Sequence, residues 1–184
     1  MPNPTKYAQT WDLDSILPHP QTDGFRKLFD QFREDLGQLA GRSDELPKLD
    51  ADSATVWTWT QFLVDYQEIT ARASDLVSFI GCHAAADADN RYFQQLEAQW
   101  SSLEPLRERI ATNIEFAVRS ATEQEVREFA ESDPSIEEIA FFLQDSRRRA
   151  ALRLPKEQEL LAADLAVDGI HAWGRLYDRI SGEL

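Results

Sequence analysis

The side chains of this sequence best suited to metal binding or nucleophilic catalysis are three histidines, one cysteine and a surplus of carboxylates. A zinc protease with its site on a helix needs the motif H-E-x-x-H, because positions i and i+4 place two imidazoles on one face with the glutamate beside them as a base. None of His19, His83 and His171 is followed by a glutamate, and no two of them are four residues apart. The sequence therefore lacks this catalytic motif.

The remaining candidates are weaker arrangements of the same side chains. Asp168 and His171 have the acid-x-x-His spacing once, whereas di-metal carboxylate bundles need such a motif on each of two helices. His83 and Asp87 are four residues apart, and we interpret them as a partly buried histidine hydrogen-bonded to a carboxylate. Adjacent residues on a helix point about 100° apart, so Cys82 and His83 are not a catalytic pair. We expect Cys82 to be a small buried apolar residue.

The run Arg147, Arg148 and Arg149 is the most concentrated positive charge in the sequence. One interpretation is that it binds the terminal carboxylate of a peptide. The other, which we favour, is that it ends a helix, because cations in a last turn suit the helix dipole. The sequence has no Gly-rich phosphate loop, no G-x-S-x-G elbow and no C-x-x-C motif.

The composition narrows the class of protein. A formal net charge of −14 disfavours nucleic acids and anionic membranes as partners. The single cysteine excludes an internal disulfide and favours a reducing compartment. No signal-peptide pattern opens the sequence, and no apolar run approaches the roughly 18 residues of a membrane span. We therefore expect a cytoplasmic protein.

Most of the candidate site residues lie in segments whose pattern predicts helices. Apolar residues recur at helical spacing through residues 25–39, 53–86, 89–117 and 156–182, and no segment alternates as a strand does. The pattern predicts an all-α antiparallel bundle of long helices with short connecting helices, spanning residues 22–184.

Residues 1–21 are rich in proline, and we expect them to be irregular. The four apolar residues of this segment should nevertheless pack back onto the body: Trp11, Leu13, Ile16 and Leu17.

Several residues predict where helices begin, bend or end. Gly41 is expected to stop the first helix in a left-handed conformation. Pro105 should kink or split the 89–117 helix near residues 101–102, because it removes a backbone hydrogen bond. Thr122 with Glu125 has the spacing of a capping box. A further helix should run from Pro134 through the arginine run, and the 156–182 helix has possible interruptions at Gly169 and Gly174.

Three stretches of the sequence form a pattern when read together. Residues 11–18 are W-D-L-D-S-I-L-P, residues 76–90 lead an aromatic and small-residue helix into a D-x-D turn, and residues 153–161 are followed by a related stretch at 169–177. Together they resemble the amino-terminal region of the oligoendopeptidase F family of zinc metallopeptidases. The first is similar to that family's W-D-L-x-x-(L/I)-x-P segment, and the last two resemble its L-x-x-x-x-E-x-L-L helix and its G-x-x-A-W-x-x-L-Y segment.

The resemblance implies a helical domain that forms one wall of a channel. A separate carboxy-terminal catalytic domain would hold zinc through H-E-x-x-H and a further glutamate, and would cleave short oligopeptides. No catalytic or metal residue can be carried over, because those positions do not occur here. This chain needs no cofactor under that interpretation. It is expected to restrict access to the channel, either as a piece of a longer enzyme or as a separate domain.

Two predictions distinguish the peptidase interpretation from its main alternative. If the chain belongs to a peptidase, an apolar surface for the missing catalytic domain should lie around Trp173, Leu176 and Tyr177. If it is instead a helical module that binds a partner protein, an aromatic patch should surround Trp57, since Trp57 and Trp59 cannot share one buried stripe. A small-ligand enzyme is the third possibility, and we rank it last because the sequence shows no convergent pair of polar residues.

Overall fold

The computed structural model of the protein describes residues 11–50 and 52–182. Within these residues the structure is helical and contains no strand, which confirms the all-α prediction. A short 3-10 turn at Leu13–Ser15 precedes the helices, which are α1 Asp23–Ser43, α2 Ser53–Ala86, α3 Arg91–Ser101, α4 Glu104–Val118, α5 Glu123–Glu131, α6 Pro134–Glu137, α7 Ala140–Ala150, α8 Lys156–Asp168 and α9 Ile170–Gly182. No helix in the described residues is long and apolar enough to cross a membrane.

Helix α1 begins as the sequence predicts but continues further. The Thr22 hydroxyl accepts a hydrogen bond from the Phe25 backbone N–H at 3.3 Å, which caps the helix. The expected stop at Gly41 is wrong, since the helix runs to Ser43 and no described glycine has positive φ. Tertiary contacts extend it: Arg42 forms an ion pair with Asp65 of α2, and the buried Ser43 hydroxyl accepts from the Asn113 amide at 2.7 Å.

Helices α1 and α2 pack antiparallel. A second ion pair joins them at 2.6 Å between Arg72 and Asp35, so that later residues of α2 lie beside earlier residues of α1. Between the helices, Trp59 is fully buried and its indole N–H donates to the Pro47 carbonyl at 3.1 Å. That bond satisfies the polar end of a large buried ring and ties the connecting loop to α2.

The chain breaks where Pro105 predicts. Helix α3 ends at Ser101 and α4 begins at Glu104, with the proline in its first turn, where its missing N–H costs no helical bond. The capping box at the start of α5 is also confirmed: Glu125 N–H donates to the Thr122 hydroxyl at 3.2 Å, and Thr122 N–H donates to the Glu125 carboxylate at 2.6 Å.

The helix expected from Pro134 through the arginine run is wrong as a single element. Ile139 leaves the helical region of backbone space and separates α6 from α7. Helix α6 packs against α2 and α5, whereas α7 packs against α4 and α5. The turn thus allows Ile136 and Leu143 to be buried against different neighbours.

The amino-terminal segment packs on the body through only two of the four apolar residues predicted to do so. The prediction is confirmed for Leu13 and Leu17, which pack against the core, and is wrong for Trp11 and Ile16, which are exposed. Residues 1–10 of this segment lie outside the described residues.

Candidate interdomain surface

Helices α8 and α9 form a hairpin on the outside of the bundle. Helix α8 packs along α4, and α9 packs mainly on α8. In the described part of the chain, every other helix of eight or more residues buries side chains in the core, but α8 and α9 have no buried residue. The hairpin is therefore attached to the bundle by only part of its surface.

The junction between α8 and α9 requires glycine. A Cβ added to Gly169 would lie 2.8 Å from the Leu165 carbonyl oxygen, closer than real Cβ contacts come. The backbone here adopts φ −92° and ψ −110°, which ends α8 and redirects the chain into α9. The interruption predicted at Gly169 is thus present. Gly174 lies within α9 and interrupts nothing.

The hairpin exposes large apolar side chains, which we call the α8–α9 surface. Tyr177 is 73% exposed and Trp173 is 70% exposed, whereas aromatic rings of this size normally bury much of their area. The α8–α9 surface comprises Leu161, Leu165, Ile170, Trp173, Leu176, Tyr177 and Ile180. On soluble proteins, large exposed apolar patches often mark sites of interaction with another protein or domain.

A network of charges fastens α8 to α4. Arg153, just before α8, donates to the Glu115 carboxylate at 2.6 Å and contacts Glu108 at 2.8 Å and Glu159 at 3.0 Å. Glu115 is only 2% exposed, so its negative charge depends on this neighbour for stabilisation. Hydrogen bonding to Glu115 and the nearby carboxylates raises the pKa of Arg153, outweighing its partial burial. The Leu154 backbone N–H, and then Arg153, lower the pKa of the Glu159 carboxyl.

The arginine run does not converge on one point. The three residues are consecutive in α7, so their side chains leave the helix in different directions. Arg149 is paired with Asp145 at 3.1 Å and lies 3.6 Å from Glu115, and Arg148 is exposed. Arg147 is half-buried, and among the described residues its Nε has no hydrogen-bond partner. Their contact with a peptide carboxylate stays a prediction.

Trp57 lies on the solvent side of α2. It is 67% exposed, two residues from the buried Trp59, so the two rings take opposite sides as their spacing predicts. Val64, two turns further along the same face, is also exposed and lines a groove between α2 and α6. The apolar exposure here is smaller than on the hairpin.

The histidines and the cysteine differ from expectation. Cys82 is exposed, so its predicted burial is wrong: the neighbouring Ile80 and Ala84 take the buried face of α2. His83 is largely buried, but the carboxylate nearest its Nε2 is Asp14 at 3.8 Å, while Asp87 accepts from the Asn90 amide instead. His171 is exposed on α9.

The described residues do not provide a set of side chains that could bind zinc. In residues 11–50 and 52–182 no three histidine, cysteine, aspartate or glutamate side chains are grouped to hold a metal ion. We therefore derive no catalytic step through zinc for this chain.

Comparison of the chain with models of protein families finds the family that the sequence motifs resemble. Residues 119–184 match the family model for the amino-terminal peptidase domain described as Oligopeptidase F. This part of the chain is similar to the amino-terminal domain of that family. The match includes α5 to α9, and so contains the whole α8–α9 surface. The chain matches no curated protein and no solved structure.

Sequence reasoning missed the Arg153–Glu115 contact. The two residues are far apart in the chain, and neither occurs in a motif that predicts an ion pair. The only available signal was a glutamate among the apolar residues of α4, which is atypical of a buried helix face.

Proposed function

We propose that the chain is a non-catalytic amino-terminal domain of an oligopeptidase F-type zinc peptidase and that it limits which peptides reach the metal. The observation that carries this proposal is the exposed apolar stripe of α8 and α9 inside the segment that matches the family. The stripe would pack against the catalytic portion, which supplies zinc and its ligands. The helical body would then form a wall that admits short, flexible oligopeptides.

The Arg153 network supports this arrangement, because it orients the hairpin without using its apolar surface. The arginine contacts α4 on one side and Glu159 of α8 on the other. A surface that must accept a second domain is better presented from a fixed helix than from a loop. A cytoplasmic location remains part of this proposal.

Cleavage assays test the catalytic assignment. The chain, supplied with zinc and a mixture of short fluorogenic peptides, is expected to give no turnover above the buffer control. Turnover that disappears on adding a chelator would contradict the proposal.

Binding assays test the interdomain assignment. A separately expressed oligopeptidase F catalytic portion carrying H-E-x-x-H should bind this chain. Substituting Trp173 and Tyr177 by Ser should abolish binding, and Trp57→Ser should leave it unchanged.

A protein-interaction module is the second candidate, favoured by the exposure of Trp57 and of Val64, which lines the α2–α6 groove. This alternative predicts the reverse pattern for whatever partner binds: Trp57→Ser removes binding and the Trp173 and Tyr177 substitutions do not. The two functions are therefore distinguished by the same set of variants.

A further inference from the structure

Two histidines meet where the amino-terminal segment contacts α2. His19 belongs to that segment and His83 to α2, and their ring centroids are 5.1 Å apart with the rings nearly perpendicular. The His83 ring also lies 4.6 Å from Phe79 and 5.5 Å from Phe93 of α3. The segment is thus seated on a pocket built from aromatic rings and imidazoles.

Few other contacts hold the segment in place. The Tyr92 hydroxyl of α3 donates to the Pro20 carbonyl, and Leu13 and Leu17 pack on the core. The remaining hydrogen bonds are local, such as Thr22 N–H to the His19 carbonyl at 2.9 Å. The contact between the two imidazoles is therefore one of a small number that join the segment to the bundle.

The surroundings of His83 favour its neutral form. Its side chain is only 14% exposed, and among the described residues no group forms a hydrogen bond with its Nε2. The charged or titratable groups that contact it are Asp14 and His19 on the segment; α3 contributes the uncharged Phe93 ring, and Asp87 on α2 accepts from Asn90 instead. Asp14, half-exposed and 3.8 Å away, is the sole carboxylate in this described set near enough to offset a positive charge.

We propose that residues 12–22 form a strap that docks over α2 and α3 at neutral pH and is released when His83 takes up a proton. A proton on His83 would place a cation in an aromatic pocket beside a second imidazole. Releasing the strap returns that cation to water, where its solvation is restored. This device is independent of the proposed function, since it involves neither the hairpin nor a peptidase partner.

The direction of the pH dependence follows from the burial of His83. Desolvation and then the neighbouring His19 lower the pKa of His83 below its ordinary value of 6.5, and Asp14 opposes them. A released His83 regains the ordinary pKa and so binds a proton at a higher pH than the docked one. Docking is thus at full strength above the ordinary pKa of 6.5 and weakens as the pH falls below it towards the lower pKa of the docked His83.

Hydrogen exchange tests the strap in the full chain. The amides of Ile16, Leu17 and Thr22 donate to backbone carbonyls within the strap, and their protection reports docking. After correction for the intrinsic effect of pH on exchange, we expect this protection to fall several-fold between about pH 7.5 and about pH 5. Protection of α1 amides in the same sample should stay constant. Strap protection that does not change with pH would overturn the proposal.

Substitutions assign the effect to the cluster. His83→Phe keeps a ring in the pocket without a titrating nitrogen, and strap protection should become independent of pH. His171→Gln, the matched control on α9, should respond as the wild type does. Asp14→Asn removes the offsetting carboxylate and should enlarge the loss of protection in acid. A His83→Phe chain that still responds to pH, or a His171→Gln chain that no longer does, would refute the proposal.

The wild-type chain supplies a test that needs no substitution. Nuclear magnetic resonance of the histidine rings should show that the pKa of His83 lies below its ordinary value of 6.5, and loss of strap protection should follow the His83 titration. Release that has no relation to the His83 titration would contradict the mechanism.

Discussion

The bundle of α1 to α7 and the α8–α9 hairpin use the same kinds of residues in opposite ways. In the bundle, aromatic rings pack on each other, as Phe32 and Trp100 do at 5.6 Å between centroids. In the hairpin, Trp173 and Tyr177 face solvent although they follow the same helical spacing. The difference shows that an amphipathic pattern predicts a surface to be buried and does not specify the element that buries it.

The largest predicted effect comes from a pair of tryptophans in α2. Trp59→Ala should lower the free energy of unfolding by about 3–5 kcal/mol, because it removes a fully buried ring and its hydrogen bond to Pro47. Trp57→Ala and Trp173→Ala should each change it by less than about 0.5 kcal/mol. Urea denaturation measures all three. Equal losses at positions 59 and 173 would contradict the distinction between bundle and hairpin.

The next largest effect on stability is expected from the ion pairs of Arg153, which attach α8 to α4. Arg153→Met should cost about 3 kcal/mol, because it leaves the buried Glu115 carboxylate without its nearest cation. Hydrogen exchange in α8 should increase more than exchange in α1 and α2. Arg26→Met removes an exposed ion pair with Asp23 and serves as the control, with an expected change below about 0.5 kcal/mol. Equal effects of the two substitutions would rule out a fastening role for Arg153.

A smaller effect is expected at the turn between the hairpin helices. Gly169→Ala should destabilise by about 1–3 kcal/mol, because its Cβ would press against the Leu165 carbonyl. Gly174→Ala meets no atom within 4 Å inside α9 and should stabilise that helix by up to about 1 kcal/mol. Thermal unfolding followed by circular dichroism compares the two. If both substitutions stabilise, the junction does not need glycine.

The smallest change in the free energy of unfolding is expected on the α8–α9 surface, where substitutions should instead reduce self-association of the chain. Substituting Trp173, Leu176 and Tyr177 together by Ser should alter the free energy of unfolding by less than about 0.5 kcal/mol for each position. The wild-type chain alone should self-associate weakly at high concentration through its exposed stripe, and the triple variant should not. Sedimentation velocity measures this difference. Identical sedimentation of both proteins would show that the stripe does not drive association.

Local patterns predicted most of the fold. The buried stripe of α1, the capping box at Thr122 and the break at Pro105 each depend on residues within a few positions of one another. Where the local pattern failed, long-range packing decided: Arg42 and Ser43 gain partners on α2 and α4 and extend α1 beyond Gly41. Such contacts leave no trace in the spacing of a single sequence.

The candidate sites were predictable only in part. The exposure of Trp57 beside the buried Trp59 follows from their spacing on one helix, because residues two apart cannot share a face. The Arg153–Glu115 and His19–His83 contacts do not, since each joins elements that are distant in the chain. Both contacts depend on how helices pack, which hydrophobic periodicity leaves undetermined.

Hydrogen exchange of this chain, alone and mixed with an oligopeptidase F catalytic portion, tests the central claim most directly. If the α8–α9 surface is the docking site of a non-catalytic domain, α9 amides should become protected on mixing and amides around Trp57 in α2 should not change. New protection confined to α2, with α9 unchanged, would contradict the account.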